Sequence, residues 1–569
     1  MKKALSVFLM TAMAFGAFAQ DAEPVADVNI AEFSGNAAVQ WGVDLDTMKT
    51  GFKNSYEVNL KLNLLNNGTK STTGNGVWGE LVLKTEEDTF IGWENGDDSP
   101  EMNDEYINAN TGLMGGGRNF GLKVYVDTAK IHIGPAYIGI KRGDTQTGEL
   151  KMDAAIRSAD DDQSKWLNNV GPAKYSEGIV LGLDTEVVKV DLDLRSYAAN
   201  AGTADGHQDE RLSHQYSDAY AAALEAELKG DGIGVEGLSV KGGVSFNFAE
   251  NYYPGNYAPW KLDLPGTDAR MLGYSASVGY KLGLDDTFYV RPQVGFTGQT
   301  QFYKDEDAKF SRTTTDNLAI AAGLLFGWGE IGMDQDAGVY YLDDDHAKKV
   351  SPGVGLVAYI PLPTSSKTTT ENSTTKSKVY NDIAARIMPS FYSGVKLVPG
   401  LTAAAYADIV IYNTGKNETE VSGSESSSVT YQAGEDKATP IAFALGAQYA
   451  IPVGDMTITP KAGIRFANAA YVDYKIAEKG DGVFKDMGVQ QKLALTAEDR
   501  TKYGLESDGN FMNLKLGVDV GGLIDNTTLS VIWETQNILN DISYGDGVGD
   551  VARFGRKLGT LNFKAKIAL

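Results

Sequence analysis

The stretch Ser55-Tyr56-Glu57-Val58-Asn59-Leu60-Lys61-Leu62-Asn63-Leu64 decides the fold class. Its even positions are Tyr, Val, Leu, Leu and Leu, and its odd positions are Ser, Glu, Asn, Lys and Asn. Successive side chains of a β-strand point to opposite faces, so this ribbon has one greasy face and one polar face. The pattern returns where Val188, Val190, Leu192 and Leu194 alternate with Lys189, Asp191, Asp193 and Arg195. It returns again from Leu238 to Phe248, and where Met512, Leu514, Leu516, Val518 and Val520 alternate with Asn513, Lys515 and Asp519. The chain ends in the same way, with Leu561, Phe563, Ala565, Ile567 and Leu569 against Asn562, Lys564 and Lys566.

Weaker alternation fills the gaps near 33–45, 77–84, 120–126, 131–140, 178–184, 218–228, 271–281, 288–296, 318–326, 353–360, 391–398, 401–412, 441–451, 457–466 and 527–534. The segment Ala219 to Leu228 fits a helical period as well as a strand one, because its alanines satisfy both. Several connectors are tight. Others are long and polar: 95–117, 142–177, 199–216, 249–270, 297–315, 363–378, 413–439, 478–510 and 535–556. Thr364 to Lys378 and Asn413 to Thr439 are low in complexity. Neither can bury enough apolar surface to hold a fixed shape alone.

The start of the chain reads as an export signal. Met1-Lys2-Lys3 precedes an apolar run to Phe15, and Ala17-Phe18-Ala19 precedes Gln20. This is a secretory signal peptide over 1–19 with an A-x-A cleavage site. The apolar run is shorter than the ~20 residues that a membrane-spanning helix needs. The chain has 569 residues and no cysteine, which excludes disulfide frameworks, thiolate metal sites and cysteine nucleophiles. It carries 51 Lys+Arg against 75 Asp+Glu, net −24, a balance that repels phosphate backbones and argues against nucleic acid as a partner.

An exported chain of amphipathic strands, with short turns alternating with long polar loops, matches a bacterial outer-membrane barrel. Lipid cannot satisfy free N–H and C=O groups, so such a sheet must close. The fold class is therefore all-β: a transmembrane antiparallel β-barrel of roughly 16–20 strands with long extracellular loops. One barrel domain over 20–569 is the expected layout. The alternative divides the chain into an N-terminal region, 20–216, that is periplasmic, and a C-terminal barrel region, 217–569, of about 10 strands. Outer-membrane lipid is then the surrounding partner, and small hydrophilic solutes are the cargo of an aqueous diffusion channel. The polar parity names the pore-lining candidates: Glu57, Lys61, Lys189, Asp191, Asp193, Arg195, Lys515, Asp519, Lys564 and Lys566. In the loops, Tyr252, Tyr253, Tyr257 and Trp260 are candidate contact residues, although aromatics near a membrane also form an interfacial girdle.

Chemistry is sparse. His207 and His214 share a loop with Asp205, Asp209 and Glu210, and His346 follows three aspartates, but solvated loop residues explain both groups better than a metal. Asp160-Asp161-Asp162 lacks the spacing of a calcium loop. No G-x-S-x-G is present, and Gly115-Gly116-Gly117 lacks the Lys-Ser/Thr of a phosphate loop. No catalytic residue, cofactor or metal site is expected. No interface for self-association is legible, so a homo-oligomer stays open.

The opening Trp41-Gly42-Val43-Asp44-Leu45-Asp46-Thr47-Met48-Lys49-Thr50-Gly51-Phe52 resembles that of the treponemal major outer sheath proteins, the Msp/Tpr family, and the closing segment from Gly559 to Leu569 fits it too. The resemblance is sharp over roughly 25 residues at each end and general between. It implies an abundant outer-membrane porin that is also a surface antigen and an adhesin for host matrix proteins such as fibronectin. It also carries the alternative with a periplasmic N-terminal portion.

Overall fold

The computed structural model describes residues 31–45, 48, 50–64, 77–92, 125–142, 152–158, 177–197, 219–250, 267–305, 311–334, 347–370, 372–380, 383–394, 398–413, 416–423, 427–433, 438–471, 510–535, 538–539 and 558–568. Twenty strands form the wall of a barrel. They are β1 (Ala31–Asp44), β2 (Thr50–Leu64), β3 (Val77–Gly92), β4 (Tyr125–Ile133), β5 (Ala136–Arg142), β6 (Glu177–Asp184) and β7 (Val188–Tyr197). There follow β8 (Ala219–Lys229), β9 (Leu238–Glu250), β10 (Thr267–Tyr280), β11 (Tyr289–Asp305), β12 (Ser311–Gly327), β13 (Gly353–Pro361) and β14 (Ile383–Tyr392). The wall ends with β15 (Leu401–Tyr412), β16 (Ile441–Tyr449), β17 (Met456–Ala467), β18 (Phe511–Gly521), β19 (Thr527–Glu534) and β20 (Thr560–Ala568). Each strand pairs antiparallel with its neighbour in the chain, and β1 pairs with β20 from Asn36↔Ala568 to Asp44↔Thr560. That last ladder closes the sheet. The strands of the first 200 residues belong to the same closed sheet as the rest, so the arrangement with a smaller C-terminal barrel is not the one adopted.

The two faces separate as the alternation requires. Val39, Leu194, Leu324, Leu356, Leu516 and Phe563 are exposed, whereas their neighbours Ala38, Asp193, Leu325, Val357, Lys515 and Asn562 on the opposite parity are buried. The exposed set forms the lipid-facing belt, and the buried set faces the lumen. Trp41 and Phe563 pack ring to ring at 5.5 Å across the closing seam, on the outer face.

Connections differ between the two ends. One end carries tight turns: Gly134-Pro135, 185–187, 281–288 and 522–526. Gly134 there has a positive φ of 59°, which glycine adopts without steric cost. At the turn between β10 and β11, the Asp285 carboxylate accepts the backbone N–H groups of Thr287 and Phe288, both at 2.7 Å. Those bonds hold its pKa below the ordinary carboxyl value. The other end carries the long connections, including 93–124, 143–176, 198–218, 251–266 and 472–509.

Four expectations are corrected. The segment 131–140 is two strands folded at Gly134-Pro135, since the proline cannot continue a ladder. Of the described residues of 391–398 only Phe391 and Tyr392 are strand, and they end a strand that lies earlier, at Ile383–Tyr392. Most of 297–315 is strand, because β11 and β12 run on as a paired extension beyond the apolar belt. The low-complexity runs are also ordered. Thr364–Thr369 pairs with Ser373–Val379, and Lys416–Gly423 with Ser427–Ala433. These hairpins do not stand alone. Thr364–Thr369 pairs with Arg312 to Asp316 of β12, and Ser373–Val379 pairs with Lys416–Gly423, so an existing sheet templates their ladders. The ambiguous alanine segment is strand β8, paired on both edges.

Two predictions follow from the wall. Val244→Lys on the exposed apolar face should destabilise the lipid-folded protein by about 2–4 kcal/mol, whereas Ser245→Lys on the other face should stay within about 0.5 kcal/mol; denaturant titration in vesicles measures both. Asp285→Ala should cost stability at neutral pH. A depressed carboxyl contributes stability above its unfolded pKa, and this is lost as pH falls through the lower folded pKa. The difference between wild type and variant should therefore vanish only below about pH 3.9, as read from denaturation at stepped pH.

Candidate functional site: the barrel lumen

Alternation places ion pairs on the inner parity. Lys61 faces Glu80 at 3.5 Å, Lys189 faces Asp191 at 3.7 Å, and Lys241 faces Glu227 at 3.5 Å. On the last strands Lys461 meets Asp519 at 2.5 Å, and Lys515 meets Glu534 at 3.6 Å. The Tyr137 hydroxyl donates to Asp191, its ring lying across Gly182 on the strand between. Trp78 stacks on His132 at 3.7 Å, so this histidine is part of an inner-wall aromatic stack. Among the described residues no cluster of three metal-ligating side chains occurs.

Lys61, Lys189, Asp191, Asp193, Lys515, Asp519 and Lys564 lie on the inner parity, with Asp193 and Lys515 buried. Lys566 shares that parity near the tight-turn end and is exposed. Glu57 pairs with Asn36 and Glu86, and Arg195 with Gly178 and Ala221, on the same parity; their side chains lie outside the described residues. Tyr252, Tyr253, Tyr257 and Trp260 also lie outside the described residues, as do His207, His214 and His346.

Two features of the lumen have no local signature in the sequence. The first is a charge cluster: Arg386 on β14 grips Asp408 on β15 through Nε–Oδ1 at 2.8 Å and Nη2–Oδ2 at 2.6 Å. The Tyr471 hydroxyl donates to the same Oδ2 at 2.6 Å, and all three residues are buried. Tyr471 stands on a helical turn just past β17, so this bond ties the root of a long connection to the inner wall.

The second is an inner sheet. Ile156–Ser158 pairs with Ala347–Val350, which pairs with Met333–Asp334. The first segment comes from the long connection after β5, and the other two come from the connection between β12 and β13 at the tight-turn end. Met152, Ala154, Ala155, Ile156 and Val350 join Leu325, Val357, Met388 and Tyr392 of the wall in one buried cluster. Gly355 lets the strand approach; a Cβ there would lie 2.8 Å from the Ala155 nitrogen. Arg291 Nε holds Asp153 Oδ2 at 2.8 Å, and the Gln293 amide bonds both the N–H and the C=O of Asp153. The Ser351 N–H donates to Ala155 O at 2.9 Å, and Trp328 Nε1 donates to Ser393 O at 2.8 Å.

A closed, lipid-belted sheet of this size with charged groups on its inner face is a porin-like transmembrane β-barrel of the bacterial outer membrane. No family model matches the chain. It is 28% identical to major surface protein MspTL of Treponema lecithinolyticum and 27% identical to major outer membrane protein MspA of Treponema maltophilum, in each case over 100% of both chains. The likeness seen at the two ends of the chain extends along its whole length in both of these Treponema surface proteins. Among solved structures it is similar to OccK2 of Pseudomonas aeruginosa, with 9% identity, 95% of this chain and 97% of that one covered, and a TM-score of 0.33. It is also similar to OmpT of Vibrio cholerae, with 8% identity, 96% and 100% covered, and a TM-score of 0.24. Likeness at that level carries no argument about this chain.

The buried charge cluster yields a prediction. Asp408→Ala leaves the Arg386 guanidinium without its carboxylate and should destabilise the barrel by about 3–5 kcal/mol, while Arg386→Met combined with Asp408→Leu should recover most of that loss. Urea unfolding, with retention of the compact form on unheated gels as a second readout, measures both.

Proposed function

We propose that the chain is a general diffusion porin, exported by cleavage of residues 1–19 and folded as one barrel domain over 20–569. The carrying observation is the closed twenty-strand wall with an apolar exterior and a charged interior. Barrels of about 16–18 strands already leave an aqueous channel, so a wall of this size leaves room for water beside the inner sheet. Glu57, Lys61, Lys189, Asp191, Asp193, Arg195, Lys515, Asp519, Lys564 and Lys566 are the proposed pore-lining groups, and small hydrophilic solutes are the cargo. Acid faces base along the wall, so a weak preference between small cations and anions is expected. Purified, refolded protein in a planar bilayer should give stepwise currents in potassium chloride. Lasting absence of steps from protein that has the correct sheet content would overturn the reading.

A second role rests on a separate observation. The hairpins 364–379 and 416–433 extend the sheet past the apolar belt and present Thr, Ser, Lys and Glu side chains, many of them exposed. The relative from T. lecithinolyticum is named a major surface protein. This supports a surface role for the loops, as antigen and as adhesin for matrix proteins such as fibronectin. Replacing 416–433 by a two-residue turn should lower binding to immobilised fibronectin and leave conductance intact. Unchanged binding after the same replacement at both hairpins would count against it.

A further inference from the structure

Water in a pore should meet polar walls, because exposing an apolar side chain to it costs free energy. The inner parity of β12–β16 breaks that rule. Beside the Arg386–Asp408 pair, Ser390 and Thr402, its members are apolar or aromatic: Ala319, Ala321 and Leu325 on β12, Val357 and Tyr359 on β13, Met388 and Tyr392 on β14, Ala404 and Tyr406 on β15, and Ala444 on β16. All are buried, and most belong to the cluster that includes Met152, Ala154, Ala155, Ile156 and Val350. The opposite situation holds on β7–β9. There the inner parity near the tight turns is charged and open, with the Lys189 side chain 42% exposed, Lys241 59% and Glu227 32%, while Asp193 and Ala223 farther along the same strands are covered.

We infer that the inner sheet is a fixed bulkhead that seals one arc of the lumen, β12–β16, near its tight-turn end, so that solutes pass along the charged remainder of the wall, past Lys189, Glu227 and Lys241. This inference rests on the channel reading and deepens it by assigning the path. The bulkhead is held by contacts of several kinds. The Arg291–Asp153 ion pair and the two Gln293 bonds fix the 152–158 segment from β11. The Ser351 and Trp328 bonds fix the described ends of the β12–β13 connection, 328–334 and 347–352, from the tight-turn end. The two segments then pair with each other at Ile156↔Val350. A segment that swung out to open the pore would break all of these together and strip cover from the apolar wall. The structure thus points to a static filter.

The chain has no cysteine, so single cysteines report access without background. Lys241→Cys and Ala321→Cys are treated in vesicles with a methanethiosulfonate bearing a sulfonate group, with labelling read by mass and by current. Lys241→Cys should label fast and shift the conductance. Ala321→Cys, a small change at a fully buried inner position, should label at least about tenfold more slowly, since thiol reactivity follows exposure. Equal labelling rates at the two positions would overturn the inference. A second variant tests fixity. A Cβ at Gly323 would lie 3.0 Å from Met152 Cβ, so Met152→Cys with Gly323→Cys should oxidise to a disulfide. Conductance should be the same before and after reduction, and a step change on reduction would show a moving gate and overturn the static filter. Missing current in the unmodified protein would count against the channel reading alone, because the mass readout tests coverage without it.

Discussion

Every backbone N–H and C=O that crosses lipid must be paired inside the sheet, since hydrocarbon offers no substitute partner. The ladder between β1 and β20 therefore has a role that no other pairing has. With it, every strand in the wall has two neighbours; without it, two edges would face acyl chains. Its register is set by both faces at once. Trp41 opposes Phe563 on the outside, and the Gln40 amide donates to Asn562 at 3.0 Å on the inside. A slip of one residue would send Gln40 and Asn562 into lipid and the two rings into the lumen. The matching of two-sided ribbons at the seam thus fixes the stagger of the whole cylinder.

Closure also explains which parts of the wall were legible. Strands β2, β7, β9, β18 and β20 stand between lipid and water, so their sequences alternate cleanly. Strands β12, β13 and β16 alternate weakly, and the reason is physical. Their inner face is roofed by protein, so apolar residues stand on both parities, as at Leu318-Ala-Ile-Ala-Ala-Gly-Leu-Leu-Phe326. Weak alternation in such a chain is a signature of inner cover, and it was present in the sequence without its meaning being accessible from the strand alone.

Other features needed pairing information that no local pattern carries. Arg386 and Asp408 are ordinary charged residues until the register of β14 against β15 puts them on neighbouring inner positions, and placing the strand at 391–398 hid that neighbourhood. Tyr471 reads as one more loop aromatic, yet its hydroxyl completes the Asp408 carboxylate. The hairpins at 364–379 and 416–433 have a composition that offers no core to hold a fixed shape alone. They gain order from a neighbouring edge, and the ladder needs backbone groups and cross-strand Ser and Thr contacts such as Ser366 with Ser377 at 2.5 Å.

The same balance governs charge. A chain of net −24 could line its lumen with carboxylates, but the described inner wall pairs acid with base between adjacent strands or along one strand. Mixed pairing lowers the cost of bringing ionised groups together in a confined, partly dehydrated space, where like charges repel strongly. Acid triplets such as Asp160-Asp161-Asp162 and Asp343-Asp344-Asp345 fall in connections rather than in wall strands. The described wall is thus polar in detail, with charges of both signs interleaved along it. On the proposed channel reading, such a wall discriminates by width rather than by charge, and the inner sheet, which occupies part of the cylinder, narrows that width.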